Sequence, residues 1–444
     1  MKHRRFLLIQ AGFTFLSAIA GVLFIPLNPV LAAPMPDPVQ QVSVVPEAST
    51  TTPYVVNQNM RDTLPYAAQE LRNWPSIISQ SAVVIDLNTG TVLYAKNPLV
   101  RHYPASITKI LTAMIALQKG HLNDQLVTSQ LATEQGGNSV YLVPGEVEPL
   151  KKLLYGLLLN SGNDAAVVIA QHYGGSIQGF ADMMNQEARS LGATHSHFVN
   201  PNGMPDPNHW TTAYDMALIS KAAMQIPEFR KIVDTKTYNW KGQAWQSTLV
   251  NLNHMLFTYP GAIGVKTGFT DAAHETLVVA AKRGNQSFLA VLMDTPLDAQ
   301  IRQDATGLLN FAFAHYQTQT LLKAGSIVGE LSTPAGQTIP LVTSQAIRAT
   351  SLKTAPLPVT FQLEKTRQPR HSMKVGTEDG QLQINLNGKV LGTVPVYLAE
   401  PYSSTPPARH RAGYVPLLML LGAAVLALAT RFALSKRSNV NFQV

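Results

Sequence analysis

Two uncharged apolar runs, 6–27 and 413–430, stand near the ends of the chain, and the pattern between them is of another kind. The first run follows Lys2-His3-Arg4-Arg5 and leads into Asn28-Pro29-Val30-Leu31-Ala32-Ala33. A charged start, an apolar stretch and small residues at the cut form an export signal, with cleavage expected after Ala32. An uncleaved anchor is the alternative; either way the following chain is exported. The second run is followed by Arg431, Lys436 and Arg437. A helix of that length rises about 27 Å, against a hydrocarbon core of about 30 Å. The pattern predicts a transmembrane helix over 413–434, the exported body outside and 435–444 inside. A helix lying on the membrane surface would need a polar face, and the run has none.

Between the ends the periodicity changes several times. Residues 33–72 carry Pro34, Pro36, Pro38, Pro46, Pro53 and Pro65 without a periodic apolar face, the composition of a spacer. Residues 82–86 and 91–94 are β-rich and flank Leu87-Asn88-Thr89-Gly90, which predicts a hairpin. Helical spacing runs over 107–117 and again over 150–169. Residues 277–280 and 288–292 predict two more strands turned at Arg283-Gly284-Asn285, and a helix follows over 299–316. Strands at both ends with helices between them predict one antiparallel sheet completed from both sides, within a domain over 73–318. Beyond it the texture is all-β over 319–400. There an Asn387-Gly388 pair separates two alternating runs, a hairpin signal. Pro401, Pro406 and Pro407 mark a linker over 401–412.

Composition narrows the function classes. The 444 residues are 45% hydrophobic and 14% charged, too apolar for a disordered chain. The net charge of +8 is scattered rather than clustered, so no nucleic-acid partner is expected. There is no cysteine, which excludes a cysteine nucleophile, a thiolate metal site and disulfides.

Candidate chemistry is sparse. His195, His197 and His209 lie close in sequence, but no acidic residue stands beside them at ligand spacing, so no metal site is expected. No glycine-rich loop follows a strand to cradle phosphate, and no cofactor is expected. Ser106-Ile107-Thr108-Lys109 is different. It follows Pro104 at the start of a helical run, so serine and lysine share one face. A serine hydroxyl needs a neighbouring base, and a lysine whose pKa is lowered by burial supplies one. The motif alone is weak. Two further elements follow in order: Ser161-Gly162-Asn163, after a helical run, and Lys266-Thr267-Gly268, ahead of a strand, where glycine permits close backbone approach. This is the motif set of class A β-lactamases and penicillin-binding proteins.

On these motifs the chain resembles the serine-type D-alanyl-D-alanine carboxypeptidases, the low-molecular-mass penicillin-binding proteins, over about residues 75–400. The flanks share the likeness: Tyr103-Pro104-Ala105 before Ser106, Asp164-Ala165-Ala166 after Asn163, Phe198 to Gly203 with Thr212-Ala213-Tyr214-Asp215, and Phe269-Thr270 after Gly268. The resemblance implies an α+β fold: an antiparallel sheet flanked by helices, as in β-lactamases and transpeptidases, then a small all-β domain and the membrane helix. It implies that Ser106 attacks the carbonyl between two terminal D-alanines of a peptidoglycan stem peptide, with Lys109 taking its proton. Ser161 would relay protons, and Asn163 would sit near Lys109 and the substrate amide. Lys266 and Thr267 would meet the terminal carboxylate beside Gly268. The N–H groups of Ser106 and Phe269 would form the oxyanion hole. β-Lactam antibiotics would acylate the same serine. Two departures stand out: Leu252 where the family often has a basic residue, and His274 where glycine is usual. The alternatives are a β-lactamase or a transpeptidase of the same superfamily. For the first, Glu187 and Glu228 are in the right interval but not in the segment that activates water; for the second, the large N-terminal module is missing.

Overall fold

The computed structural model of the chain describes residues 54–55, 74–333, 336–355, 358–364, 372–386 and 389–403. The export signal, nearly all of the spacer, the Asn387-Gly388 turn and the helix expected over 413–434 lie outside the described residues. Among the described residues no helix is long and apolar enough to cross a membrane.

The central sheet has five antiparallel strands. A hairpin, β1 (Ser81–Asp86) and β2 (Val92–Lys96), supplies one side. Then come the helices: α1 (Lys109–Lys119), α2 (Leu150–Leu159), α3 (Asn163–Gly174), α4 (Ile177–Ser190), α5 (Ala213–Ala223) and α6 (Pro227–Val233). A small hairpin, β3 (Thr237–Lys241) with β4 (Gln246–Val250), precedes the remaining strands, β5 (Ala262–Thr270), β6 (His274–Arg283) and β7 (Gln286–Thr295). Helix α7 (Asp298–His315) closes the domain. The sheet order is β2-β1-β7-β6-β5, so β7, late in sequence, pairs with β1. That is the completion from both sides expected from the sequence.

Both faces of this sheet are covered, which explains why its strands are continuous apolar runs rather than alternating ones. Val83, Ile85, Val278, Ala280, Leu289 and Val291 face the core shared with the α1–α6 layer. Ala82, Val84, Leu277, Val279, Phe288 and Ala290 face the opposite core, under α7. Helix α1 runs through the first core with every residue from Lys109 to Ala116 buried. Each buried large aliphatic side chain contributes about 1.5–3 kcal/mol. A lysine at the head of such a helix is therefore held in a dry place by its neighbours.

Two expectations are corrected here. The helical run over 150–169 is two helices, broken at Asn160-Ser161-Gly162, where Ser161 has φ +62 and Gly162 has φ −58 and ψ 118, outside the helical region. Apolar periodicity continues through the break because α2 and α3 bury residues in the same core, so the period alone hides it. The Lys266-Thr267-Gly268 motif lies inside β5 rather than before a strand, with Lys266 opposite Val278 and Thr267 opposite Leu277. Two glycines in nine residues mask that strand's propensity.

The C-terminal domain is all-β: β8 (Tyr316–Leu322), β9 (Ile327–Ser332), β10 (Thr338–Thr343), β11 (Ile347–Leu352), β12 (Val359–Glu364), β13 (Glu378–Leu386) and β14 (Lys389–Leu398). Its five-stranded sheet runs β9-β10-β14-β13-β12. Strand β11 pairs with β8 and also, in parallel, with Tyr54–Val55, so part of the stretch read as spacer is a strand. Asp86 ties this domain to the first hairpin. Its carboxylate accepts from Asn88 and Thr89 N–H, from Thr350 Oγ at 2.9 Å and from the Thr318 hydroxyl. Burial raises its pKa above the usual carboxylate value, and those donors oppose the rise.

Candidate active site

A single turn of 3-10 helix, Ala105–Thr108, leads into α1 and carries Ser106. Ala105 is held at φ +49, a left-handed geometry that costs an L-residue about 1–2 kcal/mol. Backbone strain of this kind gathers at functional positions, and Ser161 shares it. The turn is propped from below: Thr108 Oγ meets His209 Nε2 at 2.9 Å, and Thr112 Oγ donates to Pro201 O at 2.6 Å.

Lys109, the first residue of α1, turns its amine back to the serine. Nζ lies 3.0 Å from Ser106 Oγ, 2.7 Å from Asn163 Oδ1 and 2.6 Å from Asn202 O. Two of these three partners are carbonyl oxygens, which only accept. A neutral amine gives its two hydrogens to them, and its lone pair is then left facing the serine hydroxyl. Such an arrangement can serve as a base once the lysine is neutral. Burial holds Lys109 well below the usual lysine range, and the nearby Lys266 charge pushes the same way; Asp164 opposes.

The second motif reaches the site through the break between α2 and α3. Ser161 is buried there, and Asn163 opens α3. The Asn163 amide is fixed at both ends: Oδ1 on Lys109, and Nδ2 donating to Gly136 O and lying 3.6 Å from Met204 Sδ. The third motif forms the opposite wall on β5. Lys266 is buried, donates to Thr267 O at 2.9 Å, and is brought down to about 7 by burial. A Cβ on Gly268 would stand 2.6 Å from Ser106 N, so β5 passes directly against the Ser106 backbone. Thr276 of β6 locks that contact, its hydroxyl within 2.9 Å of Pro104 O and 3.1 Å of Gly268 O. Phe269, the next residue, is 56% exposed and leaves the cleft open on that side.

The two departures now have positions. Leu252 is half-exposed, and its N–H donates to Leu159 O, two residues before Ser161. It brings no charge there, and the third-motif wall supplies Lys266 instead. His274 takes up the left-handed geometry, φ +52, that makes glycine usual. The turn still forms, with Ala273 N–H on Thr270 O and His274 paired with Thr270. His274 Nδ1 is 2.7 Å from Asp294 Oδ1, a carboxylate that also lies 3.4 Å from His102. Of the three histidines close in sequence, His209 is buried in the prop beneath Ser106, with its pKa brought down to about 4, chiefly by burial. His197 Nδ1 bonds Asn208 O, and His195 lies 4.0 Å from Asp215.

Asn202 is the residue that sequence reasoning passed over: its backbone carbonyl, not its side chain, holds the Lys109 amine. The segment from Phe198 to Gly203 matched the family, but a carbonyl has no sequence signature. Gly203 does. It sits at φ +86, and a Cβ there would lie 1.8 Å from Ala105 O. Gly203→Ala must therefore shift the backbone on both sides of the Lys109 contact. The expected result is at least a tenfold loss of acylation rate with a lowered melting temperature, measured by stopped-flow labelling and calorimetry.

Comparison with known proteins follows the same division of the chain. A family model described as D-alanyl-D-alanine carboxypeptidase matches residues 68–296, and one described as penicillin-binding protein 5, C-terminal domain, matches 316–403. D-alanyl-D-alanine carboxypeptidase DacF of Bacillus subtilis is 34% identical over 349 residues, 77% of this chain and 88% of that protein. The crystal structure of penicillin binding protein 5 from Haemophilus influenzae superposes with a TM-score of 0.64 at 27% identity, covering 75% of this chain and 99% of that one. The D-alanyl-D-alanine carboxypeptidase structure from Mycobacterium tuberculosis has 35% identity and a TM-score of 0.53, over 55% of this chain and 95% of that one.

Proposed function

The chain belongs to the D-alanyl-D-alanine carboxypeptidase family, and on that premise we propose which of its atoms carry the reaction. It is a serine carboxypeptidase that removes the terminal D-alanine from peptidoglycan stem pentapeptides, which limits their cross-linking, and it binds penicillin covalently. The observation that carries the assignment of roles is Lys109 Nζ, 3.0 Å from Ser106 Oγ with its other two contacts on carbonyl oxygens.

Ser106 Oγ attacks the carbonyl carbon of the penultimate D-alanine, and its proton passes to Lys109 Nζ. The oxyanion is held by the N–H groups of Ser106 and Phe269; one such donor is worth about 10²–10³ in rate. The C–N bond then breaks. Ser161 relays the proton to the leaving amine, and D-alanine departs. Water, deprotonated by Lys109, attacks the serine ester and releases the shortened peptide, restoring the Ser106 hydroxyl. Lys266 and Thr267 receive the terminal carboxylate, and Asn163 positions the substrate amide. A β-lactam enters by the same attack, its ring opening in place of the peptide bond.

The chain works at the outer face of the bacterial membrane, exported by its first 32 residues and held by a helix over 413–434. The sequence supports this reading, through the two apolar runs. Truncation after Ser403 tests it together with the activity. The shortened chain is expected in the soluble fraction, releasing D-alanine from a free pentapeptide at the full-length rate, because every motif precedes residue 270. A truncated chain that still sediments with membranes overturns the anchor. A soluble chain that releases no D-alanine overturns the assignment of roles.

A further inference from the structure

The segment 136–142 is pinned to the second motif almost residue by residue. Gly136 O accepts from Asn163 Nδ2, and Asn138 O accepts from Asn163 N–H at 2.7 Å. Asn138 Nδ2 donates to Asn160 O and Asn160 Nδ2 to Ser139 O, while Ser139 Oγ donates to Asp164 Oδ2 at 2.6 Å. Val140 and Leu142 N–H both reach Asp164 Oδ2, at 3.1 Å. Between those two sits Tyr141, at φ +56. A bulky residue in that region carries a strain of about 1–3 kcal/mol. Burial does not offset it, because Tyr141 is 58% exposed. Its ring meets one neighbour edge to face, Trp245, with centroids 5.2 Å apart at 66°. Trp245 stands at the tip of the β3–β4 hairpin, which is tied back by Gln243 N–H on Glu146 Oε1. One aromatic ring, Tyr141, is thus held exposed on a strained loop that also fixes Asn163, and a second, Trp245, partly buried against the core, meets it from the hairpin.

We propose that Tyr141 and Trp245 form a subsite for a sugar ring, an N-acylated hexosamine of the glycan strand to which the stem peptide is joined. The inference rests on the stem-peptide reading above. Aromatic faces are electron-rich, and the C–H groups lining one face of a hexose pack on them while its hydroxyls stay wet. The hairpin that carries Trp245 also offers an exposed polar side chain, Gln243, for those hydroxyls. Reach is consistent. Five extended residues span roughly 17 Å. Val140, the neighbour of Tyr141, bonds Asp164, which adjoins Asn163, and Asn163 meets Lys109 beside Ser106. A stem peptide held at Ser106 carries its sugar at its far end.

The test compares kcat/KM for D-alanine release from a disaccharide-linked pentapeptide and from the free pentapeptide. The disaccharide alone is also titrated by saturation-transfer NMR, a binding readout that needs no catalysis. The full chain is expected to favour the disaccharide-linked substrate by about tenfold. Tyr141→Gly removes the ring at a backbone angle glycine accepts, so it does not fail for reasons of folding. That variant and Trp245→Ala are expected to lose the preference and the disaccharide signal, while Tyr141→Phe keeps both. A ratio and a titration that do not change in Tyr141→Gly and Trp245→Ala overturn the subsite. So does a loss shared equally by both substrates, since the rings would then only shape the loop. If no D-alanine is released from either substrate while the disaccharide still binds through Tyr141, the stem-peptide reading fails and the sugar subsite stands.

Discussion

Ser106→Ala is expected to abolish covalent labelling by penicillin and D-alanine release, each by at least about 10³-fold, in a protein that remains folded. The size follows from the role. Without Oγ there is no atom to form the acyl bond, and what remains is an oxyanion hole acting on a bound substrate. The structure also says why the fold survives. Ser106 is only half-buried, and among the described residues its Oγ meets Lys109 Nζ. Removing it costs one hydrogen bond, about 0.5–1.5 kcal/mol, against a total stability of about 5–15 kcal/mol. The Lys109 amine keeps Asn163 Oδ1 and Asn202 O. Mass spectrometry of the penicillin adduct, with far-UV circular dichroism and a melting curve, checks both halves. An adduct on the alanine variant would locate the nucleophile elsewhere. A molten variant would mean that the Ser106 hydroxyl holds the turn together, a role its contact with Lys109 does not support.

How much of this was legible in the sequence depends on what each residue contributes. The hairpin at 82–94, the strands around 277 and 288, the closing helix and the all-β C-terminal texture follow from periodicity, because each buries whole faces in one of the cores. Ser106, Lys109, Ser161, Asn163 and Lys266 stand out because side-chain chemistry is written in residue types. What the sequence conceals is backbone. The carbonyl of Asn202 that orients the base, the strained φ at Ala105 and Ser161, and the break that separates α2 from α3 have no composition of their own. The break is hidden twice over. Leucines and alanines on both sides keep the same period, and the residue at the bend is a serine rather than the glycine a left-handed position suggests. Likewise β5 is hard to find because Gly264 and Gly268 are set by close approach, to Val233 and to Ser106, and not by strand propensity.

The lysine pair predicts a bell-shaped pH dependence of acylation, and its two limbs belong to different residues. Lys109 must be neutral to take the Ser106 proton, and its folded pKa is well below the usual lysine value of about 10.4. As pH rises through that lowered value, the neutral fraction grows, so the rate climbs about tenfold per unit on the acid side. Lys266 must be charged to face a carboxylate, and burial brings it to about 7. As pH rises past that value the charge is lost and the rate falls. The two limbs are linked: burial lowers Lys109 first of all, and the Lys266 charge pushes it the same way. The observed midpoints belong to the pair as a whole. Lys109→Arg is expected to lose about 10²–10⁴-fold with no rising limb, because a guanidinium stays protonated at every workable pH. Lys266→Arg is expected to lose no more than about tenfold and to keep the acid limb. Its alkaline limb should vanish, since the positive charge now persists past pH 11. Acylation rates of both variants from pH 4 to 11 decide the matter. If Lys109→Arg retained substantial acylation with an unchanged profile, some other group would take the serine proton, and the orientation of Nζ between two carbonyls and one hydroxyl would be structural only.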